Sequence, residues 1–248
     1  MATPLLRLSP IRRALAQSDQ IIVSNSDDAV FLQERLTIAD ERITLGANGV
    51  NPFFVQERSV ATQDAETLLF VGSWLERKGV FLIPTVFAKL KSRHPRLKLR
   101  IIGTGIAPET VMEAFPSQLR NDIMVEARVN DAELLEEYKN ADIFFFPAYL
   151  EPWGLVLAEA AATGLPILTT NAGGPKDFLE PNQSALFVAP GDTDAMTEGL
   201  ERLISDPALR TVLGDGARRR IEQYTWEFAA KTHIAAYNKA IELAGRHE

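Results

Sequence analysis

Seven short runs of apolar residues, set apart by longer amphipathic stretches, constrain this chain more than any other feature. They are 20–24 (QIIVS), 67–72 (TLLFVG), 97–102 (LKLRII), 123–127 (IMVEA), 142–146 (DIFFF), 166–170 (PILTT) and 185–188 (ALFV), with 43–47 (ITLGA) a weaker candidate. Nearly continuous apolar runs of this length are what strands become when both of their faces are covered. Between them the apolar residues take helical spacing: Val80, Ile83, Phe87 and Leu90; then Leu134, Leu135 and Tyr138; then Met196, Leu200 and Leu203. Pro84 fits the first turn of its helix, where a missing N–H does no harm. Asp131 is the expected cap of the second helix, and Asp192 or Thr193 of the third. Strands alternating with helices predict an α/β fold, a Rossmann-like, doubly wound parallel sheet.

The alternation is complete only from about residue 66 onward. Before it stand one strand–helix–strand piece (20–47), the turn-rich Asn48-Gly49-Val50-Asn51-Pro52, and a polar connection over 55–66. The expected division is a remnant of another domain over 1–47 and a complete domain over 48–226.

Charge and composition remove several function classes. The formal net charge is −7, from 26 Lys and Arg against 33 Asp and Glu, where general nucleic-acid binding needs a basic face. The chain has no cysteine, so neither a disulfide framework nor a thiolate metal site is expected. No apolar run reaches the roughly 18 residues that span a bilayer. The first residues carry Arg7, Arg12 and Arg13 without the apolar core of a signal peptide, and read as a helix feeding the first strand. The expected location is cytoplasmic, free or peripheral to a membrane.

The stretch 142–170 bears the chemistry. A strand runs into the loop 147–153, then a helix over about 154–163, which Gly164-Leu165-Pro166 stops before the next strand. Ligands of open parallel sheets sit beyond the carboxyl ends of the strands, where this loop lies. The N–H groups of Gly154 and Leu155 open the helix at the positive end of its dipole, and a phosphate or diphosphate suits that position. Glu151 stands just before the helix and Glu159 more than a turn inside it, so the two carboxylates flank one gap. Acceptor groups in those places suit hydroxyls, as on a sugar and a ribose.

Glu151 and Glu159, with seven residues between them that include Gly154-Leu155, resemble the Glu-x7-Glu motif of the family 4 (group 1) retaining glycosyltransferases of the GT-B fold. Other segments agree in order. Phe70-Val71-Gly72 with Lys78-Gly79 resembles the first donor-domain loop, and Ile102-Gly103-Thr104-Gly105 the second. Tyr138-Lys139-Asn140-Ala141-Asp142 and Pro147 resemble the approach to the Glu motif. Gly173-Gly174 with Asp177 resembles the Gly-Gly-x-x-Glu loop. Ala185 to Val188 through Asp192, Trp226-Glu227, and Asn48-Gly49-Val50 at the hinge complete the likeness, which covers about 18–240.

The resemblance implies the C-terminal, donor-binding half of a GT-B fold, with 227–248 a final helix packing back toward the N-terminal remnant. It implies retaining hexosyl transfer from a UDP-, GDP- or ADP-linked sugar to a sugar, lipid or small-molecule acceptor, with no cofactor and no required metal. Glu159 would hold ribose hydroxyls and Glu151 those of the transferred sugar. Lys78 would neutralise the diphosphate leaving group. Gly72, Gly173 and Gly174 would line the site, and Arg128-Val129 the base. The family's Arg after the first-loop glycine is Ser73 here, with Arg77 a substitute; Ala148 stands for a Ser, and Asp177 is one methylene short of Glu.

Other readings stand beside this one. The chain would be a non-catalytic nucleotide-sugar-binding subunit completed by a partner chain that supplies the acceptor domain, or a nucleotide-sugar epimerase of the same architecture. Glu151 and Glu159 taken alone read as surface carboxylates, and Lys78 as a turn lysine. Gly103-Thr104-Gly105 lacks the third glycine of a dinucleotide fingerprint, with Pro108 in its place. Asp192-Thr193-Asp194 imitates a metal-binding Asp-x-Asp, but helix capping accounts for it. His94, His233 and His247 read as surface residues. Trp153 reads as packing or as a stacking platform, and Trp226 as a core anchor.

Overall fold

Strands form where the apolar runs lie in the computed structural model, which describes residues 9–56 and 64–244. Residues 57–63 of the expected connection, with Arg7 and His247, lie outside the described residues. The contacts separate into two units. One holds the described residues up to Gly49 together with those from Tyr224 on; the other runs from Val50 to Gln223.

In the first unit α1 (Ser9–Gln17) leads into β1 (Ile21–Val23), α2 (Ser26–Leu36) and β2 (Ile43–Leu45). The strands pair in parallel, Ile21 opposite Ile43, so the weaker strand candidate is a strand. α2 starts at Asn25, whose side chain accepts the Asp28 N–H at 2.8 Å, and stops at Thr37 in the left-handed region. Ile21, Leu32 and Ile38 make a small core. Arg42 ties the end of α1 to β2 by donating to the Leu15 carbonyl at 2.8 Å and the Ser18 carbonyl at 3.1 Å.

The second unit runs β3 (Thr67–Val71), α3 (Ile83–Arg93), β4 (Lys98–Ile102), α4 (Pro108–Met112), β5 (Ile123–Glu126), α5 (Asp131–Asn140), β6 (Ile143–Phe146), α6 (Leu155–Ala162), β7 (Ile167–Thr170), α7 (Pro175–Phe178), β8 (Leu186–Val188), α8 (Thr193–Ser205) and α9 (Pro207–Ile221). Its six strands are all parallel, in the order β5-β4-β3-β6-β7-β8. This is a Rossmann-like, doubly wound α/β sheet. The chain steps outward from β3 to β5, then returns to place β6 on the other side of β3, and that reversal opens a crevice at the carboxyl ends of β3 and β6. Leu69, Phe70, Ile101, Phe144, Phe146 and Leu168 are fully buried, as strands covered on both faces require.

The helical stripes pack as their spacing implies: Val80, Ile83, Phe87, Leu90, Leu135, Tyr138, Met196, Leu200 and Leu203 are all buried. Pro84 sits in the first turn of α3. The cap of α5 is Asn130 rather than Asp131. Asn130 accepts the Glu133 N–H at 3.0 Å while Glu133 accepts the Asn130 N–H at 2.9 Å, a reciprocal pair that a start at Asp131 would forgo. In α9, a side chain at Gly214 would meet the Gly164 carbonyl oxygen at 2.2 Å, so this helix lies directly against the turn that ends α6.

The last helix, α10 (Trp226–Ala244), belongs to the first unit and lies against the 46–49 stretch, where the backbone of Trp226 leaves no room for a side chain at Gly49. The Trp226 ring is 51% exposed and is not a core anchor. His94 and His233 are half-buried rather than on the surface, and His233 Nδ1 lies 2.8 Å from the Ala229 carbonyl oxygen.

At the amino ends of the central strands, buried Asp142 accepts the N–H groups of Glu66 at 2.9 Å and Thr67 at 3.0 Å. Arg210 of α9 is also buried and donates to the carbonyls of Leu203 and Ile204 at 2.6 and 2.9 Å. Burial works against its charge, and the carboxylates of Asp142, Asp206 and Asp64 offset that. Asp142→Ala is expected to lower stability by about 3 kcal/mol in urea denaturation, because it strands two N–H groups and strips a compensating charge from a buried guanidinium. A change within about 0.5 kcal/mol, the scale of ordinary surface substitutions, would show that this network adds nothing to stability.

Candidate functional site

The loops at the crevice are bound to one another through the main chain. After β3, Arg77 offers its carbonyl to the N–H groups of Tyr149 at 2.8 Å and Leu150 at 3.2 Å in the loop after β6. A Cβ at Gly79 would fall 1.9 Å from the Pro147 carbonyl oxygen, and with φ at 69° only glycine fits easily. The loop after β7 joins from the other side. Gly173 bridges Glu151 in parallel, and Gly174 N–H donates to the Glu151 carbonyl at 2.9 Å. A Cβ at Gly173, φ 81°, would lie 2.3 Å from that carbonyl oxygen.

These contacts set two opposite charges face to face. The Lys78 ammonium is hydrogen-bonded to the Glu151 carboxylate, and both side chains are largely buried, at 12% and 9% exposure. Phe146 at the end of β6 lies beneath, its ring centroid 5.0 Å from Lys78 Nζ. Gly154 caps α6 with no side chain to bond the first N–H groups, and it stands beside Glu151, whose Cγ is 3.3 Å from where a Cβ would be. An uncapped helix start next to an ammonium is a place of positive potential.

Glu159 lies further down α6 in a different environment. Its Oε2 accepts a hydrogen bond from the Tyr138 hydroxyl of α5 at 2.9 Å. Burial pushes the Glu159 carboxyl up to about 7; the Tyr138 bond opposes this, and the nearby charge of Asp131 adds to it. Burial, together with the Glu159 charge, holds the Tyr138 phenol well above its ordinary value, so it stays a donor.

The structure thus brings together Lys78, Glu151, Gly154, Gly173 and Gly174. Leu155 is exposed at the first turn of α6, and the side chains of Ser73 and Arg77 are exposed on the loop after β3. Arg128 and Val129 lie apart from this cluster, beyond β5. The ends of β3, β4 and β5 are stitched by main-chain bonds: Gly72 N–H to Ile102 O at 2.9 Å, Gly103 N–H to Glu126 O at 2.8 Å and Gly105 N–H to Ala127 O at 3.1 Å. Trp153 is buried against Phe178, ring centroids 4.7 Å apart, and is packing rather than a platform. Asp192 accepts the Ala195 N–H at 2.9 Å, a helix cap, and Asp194 pairs with Lys89. The sequence places Tyr138 on a buried helical stripe and in the approach to the Glu motif, but does not show its bond to Glu159. The signal for it was a tyrosine on a buried stripe, whose hydroxyl needs a partner.

Known proteins resemble this chain in sequence and in fold. A family model described as glycosyl transferases, group 1, matches residues 54–220. The chain is 28% identical to an uncharacterized glycosyltransferase of Methanocaldococcus jannaschii, over 84% of this chain and 56% of that protein. It is 26% identical to a D-inositol 3-phosphate glycosyltransferase of Stackebrandtia nassauensis, over 96% of this chain and 58% of that one. Among solved structures, a sucrose-phosphate synthase from Thermosynechococcus elongatus superposes with a TM-score of 0.82 and 24% identity, covering 98% of this chain and 64% of that one, a likeness of fold. The chain therefore spans a little over half the length of these curated relatives. With residues 54–220 of its 248 inside the family's model, the chain belongs to the group 1 glycosyl transferases.

Proposed function

We propose that these residues hold the nucleotide-diphosphate sugar of a retaining hexosyl transfer, as in family 4. The observation that carries this reading is the Lys78–Glu151 pair at the switch point, beside the uncapped start of α6. A diphosphate takes Lys78 and the free N–H groups of Gly154 and Leu155, with Arg77 close at hand on the same loop and Ser73 leaving the approach open. Glu151, released from Lys78, accepts hydroxyls of the transferred sugar. Glu159 accepts the ribose hydroxyls, Gly72, Gly173 and Gly174 line the site, and the loop at Arg128-Val129 borders the base. As the sugar departs, charge grows on the diphosphate, and the ammonium and helix N-terminus stabilise it where it grows. The donor is UDP-, GDP- or ADP-linked. The acceptor is a sugar, lipid or small molecule, held by a partner polypeptide where these residues supply the donor side alone.

In calorimetry, one of UDP-, GDP- or ADP-glucose is expected to bind, and to bind equally well in EDTA, since the positive potential is built from Lys78 and α6. Among the described residues no group of three or more His, Asp or Glu is placed to hold a metal. Binding lost to the chelator and restored by Mg²⁺ or Mn²⁺ would overturn the metal-free reading.

The ion pair makes the two ligand halves respond in opposite directions. Glu151→Gln frees Lys78 and removes a repelling charge, so the free nucleoside diphosphate is expected to bind tighter by about 1 kcal/mol. The nucleotide sugar, losing an acceptor for its hydroxyls, is expected to bind weaker by a similar amount. Parallel changes in both affinities would show that Glu151 does not distinguish the sugar.

Glu159 carries the pH dependence. The folded protein holds its proton more tightly than the unfolded chain does. This contribution to stability is full below about pH 4.5 and is lost as pH rises to about 7. Ligand binding runs the other way, because the ionised carboxylate is the better acceptor. Affinity for the nucleotide sugar, whose esterified diphosphate does not titrate in this range, is expected to rise about tenfold from pH 6 to pH 8. Glu159→Gln should flatten that profile. A profile that keeps its slope in the variant would remove Glu159 from ribose binding.

A further inference from the structure

Tyr138 is enclosed on two sides. Its side chain is fully buried on α5, with the Phe54 ring edge-on at 5.9 Å and the Phe144 ring of β6 at the same distance, tilted by 55°. Two aromatic neighbours from separate elements leave the ring no alternative position, so its hydroxyl is a fixed point. That hydroxyl lies between two acceptors of α6: the Val156 carbonyl at 3.2 Å and Glu159 Oε2 at 2.9 Å. A buried phenol needs one acceptor, and the Val156 carbonyl alone would satisfy it. The shorter contact goes instead to the carboxylate. Among the described residues, Tyr138 is the only hydrogen-bond partner of that carboxylate, which leaves Oε1 uncommitted.

We propose that Tyr138 is a positioning residue for donor binding: it pins one oxygen of Glu159 so that the other is presented to the ligand. This rests on the reading of Glu159 as the ribose acceptor. Glutamate has three rotatable side-chain bonds, and a carboxylate free to turn would lose part of its binding free energy to the entropy of being ordered. The hydroxyl fixes it beforehand. It also stabilises the ionised form against burial and against the charge of Asp131, the other titratable group of α5 that faces it. Tyr138 touches no ligand in this arrangement; it acts through Glu159.

Tyr138→Phe tests this, since phenylalanine keeps the ring contacts and removes only the hydroxyl. The full chain is titrated with UDP-, GDP- and ADP-glucose at several pH values, and the Glu159 carboxyl is followed by carbon NMR without ligand. Near-UV circular dichroism checks that the aromatic packing is kept. The expected result has three parts. Affinity at pH 8 falls about tenfold, the scale of a hydrogen bond to a charged group. The carboxyl titration moves to higher pH than in the parent. The double variant Tyr138→Phe/Glu159→Gln binds no worse than Glu159→Gln alone, as two residues acting as one unit should. A Tyr138→Phe protein with unchanged affinity and unchanged titration, or a loss that adds in full to that of Glu159→Gln, overturns the proposal. If Glu159→Gln itself leaves affinity unchanged, the ribose reading falls, and the positioning role falls with it. An effect of Glu159→Gln with none of Tyr138→Phe removes the positioning role alone.

Discussion

Main-chain atoms of three loops touch at the carboxyl ends of β3, β6 and β7, and this contact is what the rest of the site depends on. Where strand order reverses, the ladder of hydrogen bonds stops and the loops must satisfy one another. Arg77 supplies a carbonyl to two N–H groups of the next loop, and Glu151 supplies one to Gly174. Gly79 and Gly173 sit where any side chain would drive these strands of backbone apart. The side chains of Lys78 and Glu151 meet because the backbones beneath them have no freedom to separate. Pre-organisation of this kind lets a site bind charge without paying again to assemble itself.

The two glutamates of the site have been given opposite characters by their partners. Glu151 faces an ammonium at the crevice and Glu159 faces a phenol beneath α6. Burial with one neutral donor leaves Glu159 close to the balance between charged and neutral. Two residues of the same type, less than three helical turns apart in sequence, thus meet a ligand with different partners already in place. Residue type could not separate them; the element packed opposite each one does.

Most of the sheet was legible because its strands are covered on both faces and so read as unbroken apolar runs. The loop–helix segment after β6 was legible for a related reason: a parallel strand delivers its next residues to one known edge of the sheet. What escaped the sequence depended on pairs of elements. The start of α5 turned on a choice between neighbouring residues that both cap well, and only the reciprocal bond with Glu133 decides for Asn130. That signal, Asn130 followed three residues later by Glu133, stands in the sequence. The bond from Tyr138 to Glu159 joins two helices, and no spacing within either one encodes it. Trp226 was misplaced because size and apolarity suggest burial, whereas the first residue of α10 meets Gly49 with its backbone and leaves its ring half outside.

The close approach of α9 to the end of α6 bears on what holds α9 together. Two glycines within three residues, Gly214 and Gly216, stand inside this helix, each weakening it by about 1 kcal/mol relative to alanine. A helix so interrupted has little persistence as a lone segment. It gains its stability from lying against the Gly164 carbonyl, and that carbonyl is in place only when α6 has ended and β7 has begun. α9 is thus a helix whose stability is tied to its platform more than to its own sequence, so a change at the end of α6 would reach it as well.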